Sequence, residues 1–335
     1  MKRVAVNGMG RVGRLVVRSL LGREGVELVA VNDIAPMETI AYLLAHTTEY
    51  GPLGASVSYD EHDGILLIDG KAVSSFCEPD AAKLPWRNLE VDVVLECSGA
   101  YCSRGKAQAH VDAGAKRVLI SAAAGSDVPT VVYGINDSIL TDADDIISGA
   151  SCSTVGLAPF VRALNDAAPI RQGIATTIHA LTPTQMTLDD PQRKGNLRRS
   201  RTASENIIPT SAAFAKAVGL VLPELQGRLS GYAIRVPVTR GSLITLYAVV
   251  AYEGEGTLDA GKLNELMREH ESWMFGYTDE ELVSSDIAGT DFYSIFDATQ
   301  TKVSPLDDGY LVELAAWFDN ETSYVSHFMK LLWSL

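Results

Sequence analysis

Three glycines in six residues, Gly8-Met9-Gly10-Arg11-Val12-Gly13, stand between an apolar strand pattern at Arg3–Val6 and a helical pattern at Arg11–Leu21. No other feature constrains the fold as much. Glycines let the backbone turn tightly and bring the amides at a helix N-terminus against a pyrophosphate. The competing reading is a tight strand–helix turn that binds nothing. Asp33 closes a second apolar run, Val26–Asn32, twenty residues after Gly13. A carboxylate there can accept hydrogen bonds from ribose hydroxyls and repels a 2′-phosphate, which favours NAD over NADP. A surface turn is the alternative for Asp33.

The same texture continues. Val91–Cys97 and Arg117–Ser121 are further apolar strand patterns, with a helix expected over Arg104–Ala113 between them. Continuous apolar runs alternating with helices build a doubly wound, mostly parallel sheet with both faces covered. Leu53–Ser75 reads instead as antiparallel strands turning at Asp63-Gly64 and Asp69-Gly70. After Gly149–Cys152 the pattern changes to a helix running through Leu164 with Pro159 inside it. Strands follow at Gly173–His179, Gly231–Val238 and Leu243–Ala251, then a helix over Asp259–His270. At 335 residues two domains are expected, a nucleotide-binding α/β domain and an α+β domain with an antiparallel sheet. A helical pattern ends the chain at Ser323–Leu335.

A net charge of −14 argues against nucleic-acid or anionic-membrane binding, which needs broad positive surface. No apolar run reaches the ~18 residues of a membrane span, and the start of the chain lacks the apolar segment of a signal peptide. Cys77, Cys97, Cys102 and Cys152 form no CxxC pair and have no histidine at zinc-ligand spacing, so no metal site is expected. They read as reduced thiols, with a cytoplasmic location as the default.

Cys152 lies in Ser151-Cys152-Ser153-Thr154, at the start of a helix whose oriented amides favour a thiolate. For the other three cysteines an inert core role is preferred. His179 ends the strand pattern Ala175–His179 and would serve as a base if it met the thiol, although a lone histidine is more often structural. Arg193, Lys194, Arg198, Arg199 and Arg201 concentrate positive charge in an acidic chain, suiting phosphate oxygens; a solvated or subunit-interface loop is the other reading.

Taken in order, NGMGRVGR (7–14), ND (32–33), ASCST (150–154), TTIHALT (176–182), LRRSR (197–201), NIIPT (206–210), RVP (235–237), SSDIAGTDFYSIFD (284–297) and DNE (319–321) resemble the glyceraldehyde-3-phosphate dehydrogenase family over essentially the whole chain. The resemblance implies a Rossmann domain at 1–151, with a C-terminal helix at 315–335 packing back on it, and a catalytic domain at 152–314. It implies NAD-dependent oxidation of glyceraldehyde 3-phosphate to 1,3-bisphosphoglycerate, in glycolysis and gluconeogenesis, through a thioester on Cys152 with His179 as acid and base. The implied cofactor contacts are Gly8, Gly10, Arg11, Val12, Gly13, Asp33, Ser121 and Asn320. Thr182 and Arg235 match the substrate-phosphate site. Ser151, Ser153, Arg199 and Thr210 match groups near the attacking inorganic phosphate. A homotetramer is implied as well, with 190–201 as an interface loop.

Departures stand beside the match. The family's Cys-Thr-Thr-Asn-Cys run is here Cys152-Ser153-Thr154-Val155-Gly156, and Ala212-Ala213 replaces a Thr-Gly pair that binds the attacking phosphate. Thr184 and Thr322 replace an acid or amide and an aromatic. These keep two alternatives in view: erythrose-4-phosphate dehydrogenase, in which water cleaves the thioester, and a non-catalytic nucleotide-binding paralogue.

Overall fold

In the computed structural model, residues 1–192 and 195–335 are described. The chain forms two compact units. Met1–Tyr133, Asp137–Ala150 and Phe328–Leu335 make the first; Gly134–Asn136 and Ser151–His327 make the second.

The first unit contains β1 (Lys2–Asn7), α1 (Arg11–Leu20), β2 (Val26–Asn32), α2 (Met37–Ala45), β3 (Val57–Asp60), β4 (Ile65–Ile68), β5 (Lys71–Phe76), β6 (Val93–Glu96), α3 (Arg104–Asp112), β7 (Arg117–Ile120) and β8 (Ile146–Ser148). Its sheet order is β3-β4-β5-β2-β1-β6-β7-β8. From β5 to β8 every pairing is parallel, while β3, β4 and β5 form an antiparallel meander. The parallel strands carry the apolar runs expected of strands covered on both faces, and β6 is buried at all four positions. α1 buries Leu15, Val16, Val17 and Leu20 and keeps Arg11, Arg14 and Arg18 partly exposed, so one apolar stripe seats it on the sheet. The chain's end is tied in by Lys2 Nζ donating to the Leu332 carbonyl at 2.8 Å and Arg117 donating to Leu335 at 2.9 Å.

The first glycine of the loop is held by geometry. Gly8 has φ +94°, and a Cβ there would lie 2.4 Å from the Ser98 Cα and N. Gly8→Ala is therefore expected to destabilise the chain by about 1–3 kcal/mol from the backbone conformation alone, with the contact adding to it. A urea midpoint equal to that of the parent chain would contradict this.

The second unit contains α4 (Cys152–Ala167), β9 (Ile170–His179), β10 (Ile208–Ser211), α5 (Phe214–Val221), β11 (Leu229–Arg235), β12 (Ser242–Val250), α6 (Ala260–Arg268), β13 (Phe275–Thr278), β14 (Ser294–Leu306), β15 (Gly309–Phe318) and the start of α7 (Thr322–Ser334). Its sheet order is β10-β11-β9-β12-β15-β14-β13. The sheet is antiparallel-rich, with parallel pairings at β11–β9 and β13–β14. α4 is buried almost all round and so shows little sequence periodicity. It continues through Pro159, which removes one helical N–H donor. The C-terminal helix begins at Thr322 rather than at 315, because Leu314–Phe318 pairs residue by residue with β12 and completes β15.

Candidate active site

Ala150 links the strand region to α4 in the left-handed conformation, φ +57°, and is buried. Ser151 follows as the helix cap, its Oγ accepting the Thr154 N–H. Cys152 is thus the first helical residue, where its own amide and that of Ser153 favour a negative charge on the sulfur. The Ser153 hydroxyl favours that charge as well.

β9 supplies the partner. Ala175, Thr177 and His179 alternate onto its buried face, and His179 is 1% exposed. His179 Nε2 lies 3.5 Å from the Cys152 Sγ, a contact between residues 27 apart that spacing alone does not show. Arg235 arrives by strand register: it is the direct partner of His179 in the parallel β11–β9 pair, so both side chains share one face. Its Nη1 lies 2.6 Å from His179 Nδ1 and donates to the Ala180 carbonyl at 3.1 Å. Phe318 meets the imidazole edge-on, ring centroids 5.8 Å apart at 82°. Gly156 makes room for that ring, since a Cβ there would come within 3.0 Å of it.

Burial and the charge of Arg235 push His179 down to about 3, so the ring is neutral at working pH. A neutral ring has one proton for two nitrogens. On Nδ1 it serves the Ala180 carbonyl, 2.7 Å away, and leaves the Nε2 lone pair facing sulfur. The guanidinium favours the other tautomer, in which Nδ1 accepts and Nε2–H donates to sulfur. One form takes a proton and the other supports a negative charge.

The thiol departs from expectation. Burial raises its pKa, and the opposing pull of Arg235, Ser153 and the helix-start amides does not overcome this. Cys152 retains intermediate surface exposure, so reagent can reach a sulfur otherwise crowded by protein atoms. The sequence signal captured the amides but not the desolvation, which depends on what α4 packs against.

A second polar group, whose Arg199 lowers the His179 pKa further, stands in the same unit. Arg199 donates to Thr184 Oγ1 at 2.8 Å and to Thr210 Oγ1 at 3.2 Å, and Thr182 Oγ1 lies 2.9 Å from Thr184 Oγ1. Thr182, Arg199 and Thr210 therefore come together through Thr184. Arg201 instead pairs with Asp189 at 2.9 Å, and Arg198 donates to the Pro209 carbonyl. Arg193 and Lys194 lie outside the described residues. Asn320 is 5% exposed, and its Oδ1 has no hydrogen-bond partner among the described residues, which leaves an acceptor for an amide donor. Beside it, Asp319 caps α7 by accepting the Glu321 and Thr322 N–H groups and pairs with Arg240 at 2.7 Å.

In the first unit, the loop fits a dinucleotide. Gly10 caps α1 with no side-chain acceptor, leaving the first amides open, and a Cβ at Gly10 would meet nothing within 4 Å. Arg11 and Val12 form the first turn, with Arg11 facing Glu49 at 3.5 Å. Gly13 could not carry a Cβ, which would fall 1.9 Å from the Gly8 carbonyl oxygen. Asp33 accepts the Met9 N–H at 2.6 Å and the Ala35 N–H at 2.9 Å, which fixes its carboxylate beside the loop. Ser121 directly follows β7, its amide donating to the Glu96 carbonyl at 2.9 Å. Among the described residues no group of histidine, cysteine or acidic side chains could hold a metal ion.

A doubly wound sheet with a glycine loop and a neighbouring carboxylate, in a chain that also carries a thiol–imidazole pair, defines a nucleotide-dependent dehydrogenase fold. Two family models match it: the glyceraldehyde 3-phosphate dehydrogenase NAD binding domain over residues 2–104, and the C-terminal domain of the same enzyme over residues 151–320. The glyceraldehyde-3-phosphate dehydrogenase of Clostridium pasteurianum is 44% identical over 332 residues, 99% of this chain and 98% of that protein. That of Lactobacillus delbrueckii subsp. bulgaricus is 45% identical over 335 residues, 98% and 97% of the two chains, and that of Streptococcus pyogenes is 43% identical over 331. The chain belongs to the glyceraldehyde 3-phosphate dehydrogenase family, and NAD is its cofactor.

Proposed function

We propose that this chain oxidises glyceraldehyde 3-phosphate with NAD and transfers the acyl group to inorganic phosphate, giving 1,3-bisphosphoglycerate in glycolysis and gluconeogenesis. The observation that carries the reading is the contact of Cys152 with His179, backed by Arg235, in a chain of this family. Residues 1–151 act as the NAD-binding domain, with Gly8, Gly10, Arg11, Val12, Gly13, Asp33 and Ser121 as its contacts. Residues 152–314 act as the catalytic domain. Asn320 supplies its unpaired Oδ1 to the nicotinamide carboxamide.

NAD, when bound, supplies the hydride acceptor. Cys152 sulfur adds to the aldehyde carbon as its proton passes to His179 Nε2, and the new oxyanion takes that proton back to give a hemithioacetal. His179 removes the hydroxyl proton again as the carbon is oxidised to a thioester. The Cys152 amide and the imidazole support the oxygen's charge. Inorganic phosphate then attacks, and the sulfur leaves. Thr182 and Arg235 hold the phosphate of the aldehyde; Ser151, Ser153, Arg199 and Thr210 serve the attacking one.

The erythrose-4-phosphate alternative is not favoured, since the relatives carry the glyceraldehyde-3-phosphate name. Turnover of both aldehydes with and without inorganic phosphate tests the reading, and phosphate-independent turnover would refute it. Ala212 supplies a sharper version. It precedes the α5 cap residue Ala213, where the family has a hydroxyl donor. Restoring the donor with Ala212→Thr is expected to lower KM for phosphate about ten-fold or more, since a hydrogen bond to a charged group contributes about 1.5–3 kcal/mol. An unchanged KM would mean that another donor already fills the position.

A homotetramer is supported by the outer face of the second sheet, where Ile174, Tyr232, Tyr247 and Leu311 are 39–53% exposed. A cytoplasmic location is supported by the four cysteines, none of which forms a disulfide among the described residues. Among the described residues no helix is long and apolar enough to cross a membrane. The net charge of −14 supports small anionic substrates only at the local arginines, not nucleic acid.

A further inference from the structure

Behind the glycine loop lies a polar group that the chemistry above does not use. Glu96 ends β6 at 1% exposure, and His110 on α3 is fully buried. The Glu96 carboxylate accepts four hydrogen bonds. Oε1 takes the Ser98 N–H at 2.8 Å and the Ser98 hydroxyl at 2.5 Å; Oε2 takes Asn7 Nδ2 at 2.5 Å and His110 Nε2 at 3.1 Å. The His110 proton is on Nε2 because Trp86 Nε1–H donates to Nδ1 at 3.0 Å.

Both neighbours of this carboxylate shape the loop. Ser98 is the residue whose backbone bears on Gly8. Asn7 directly precedes Gly8, and its Oδ1 accepts from Asn32 Nδ2 at 2.7 Å, while the Asn32 carbonyl accepts the Gly8 N–H at 2.7 Å. Asn32 in turn precedes Asp33. One buried carboxylate therefore fixes three segments at once: the loop, the wall beneath it, and the strand end carrying the ribose-binding acid.

We infer that Glu96, held by His110 and Trp86, is a positioning residue for NAD, setting the spacing between the Gly8–Gly13 amides and Asp33. This rests on the family's NAD-binding reading and adds the residues that tune affinity. A buried charge satisfied on every side permits one arrangement of its donors, so a change at any of them is transmitted to the loop. Glu96→Gln keeps the shape but turns an NH2 toward two of the four donors.

The test is NAD affinity by calorimetry on the full chain, alongside thermal melts and aldehyde kinetics at saturating NAD. Glu96→Gln is expected to raise the Kd for NAD about ten-fold or more, with KM for the aldehyde and kcat within about two-fold. Trp86→Phe, which removes only the N–H donor, should raise Kd about three-fold. His110→Gln offers both a donor to Glu96 and an acceptor for Trp86, and should stay near the parent affinity. If Glu96→Gln does not fold, the comparison of Trp86→Phe with His110→Gln decides. Parent-like NAD affinity in Glu96→Gln or, failing that, in Trp86→Phe, whatever the melting temperature, overturns the inference and leaves the network a stability element. So does an equal loss in aldehyde KM. Absence of NAD binding by the parent chain would instead overturn the cofactor reading itself.

Discussion

Cys152→Ser is expected to lower kcat for aldehyde oxidation by about 10⁴-fold or more while leaving the NAD Kd within about two-fold. The hydroxyl preserves the helix start and its amides, but it is far less acidic than a thiol, and the base in contact with it is a histidine held down to about 3. Such a base cannot compensate for a weaker nucleophile. NADH formation in single-turnover and steady-state assays would measure the loss; a variant retaining a tenth of parental activity would remove Cys152 from the chemistry. The same geometry sets the pH response of the parent. With the thiol raised by burial, the thiolate fraction and the iodoacetamide rate at Cys152 should climb through the alkaline range. His179 stays neutral there and contributes no inflection. A plateau already reached near neutrality would show that the helix-start amides and Arg235 outweigh desolvation.

His179→Asn should be the second largest effect, a kcat lower by about 10²–10⁴-fold. Asparagine can donate a hydrogen bond to the sulfur or to an oxyanion, but it cannot accept the hemithioacetal proton. The expected signature is a fall in kcat with little change in aldehyde KM, because Thr182 and Arg235, the proposed phosphate contacts, are left in place. Arg235 contacts the imidazole itself, so a rise in KM equal to the fall in kcat would place the main role of His179 in holding Arg235 rather than in proton transfer. Retention of most activity would exclude the imidazole as the base.

Much of the first unit was legible because its signals are local. Apolar runs marked β1, β2, β6 and β7, and Asp63-Gly64 and Asp69-Gly70 marked the turns of the β3–β4–β5 meander; the three-residue β8 and the parallel pairing of β5 with β2 were not anticipated. α2 was not anticipated: its cap is Pro36, without a polar side-chain signal, and its face of Met37, Ile40, Ala41 and Leu44 is short. β14 was missed because much of its length is exposed and lacks clean alternation. At the site, Cys152 and His179 were recognisable as types, but their meeting depends on how α4 lies against the sheet. The thiol's raised pKa and the edge-on Phe318 are likewise products of packing, invisible to spacing. Gly156, which on sequence is only a missing cysteine, is explained by the ring it admits. The tie between Arg235 and His179 needed the register of a parallel pair formed by residues 56 apart.

That register has a consequence for how the chain tolerates change. Successive side chains of a strand alternate sides, so inserting or deleting a single residue within Leu229–Arg235 would turn the guanidinium away from the imidazole and expose it on the opposite side of the sheet. Length polymorphism should therefore be tolerated in the segment before Leu229 and punished within the strand, even where every replacement is conservative in chemistry. The arginine and the histidine answer to frame before they answer to identity.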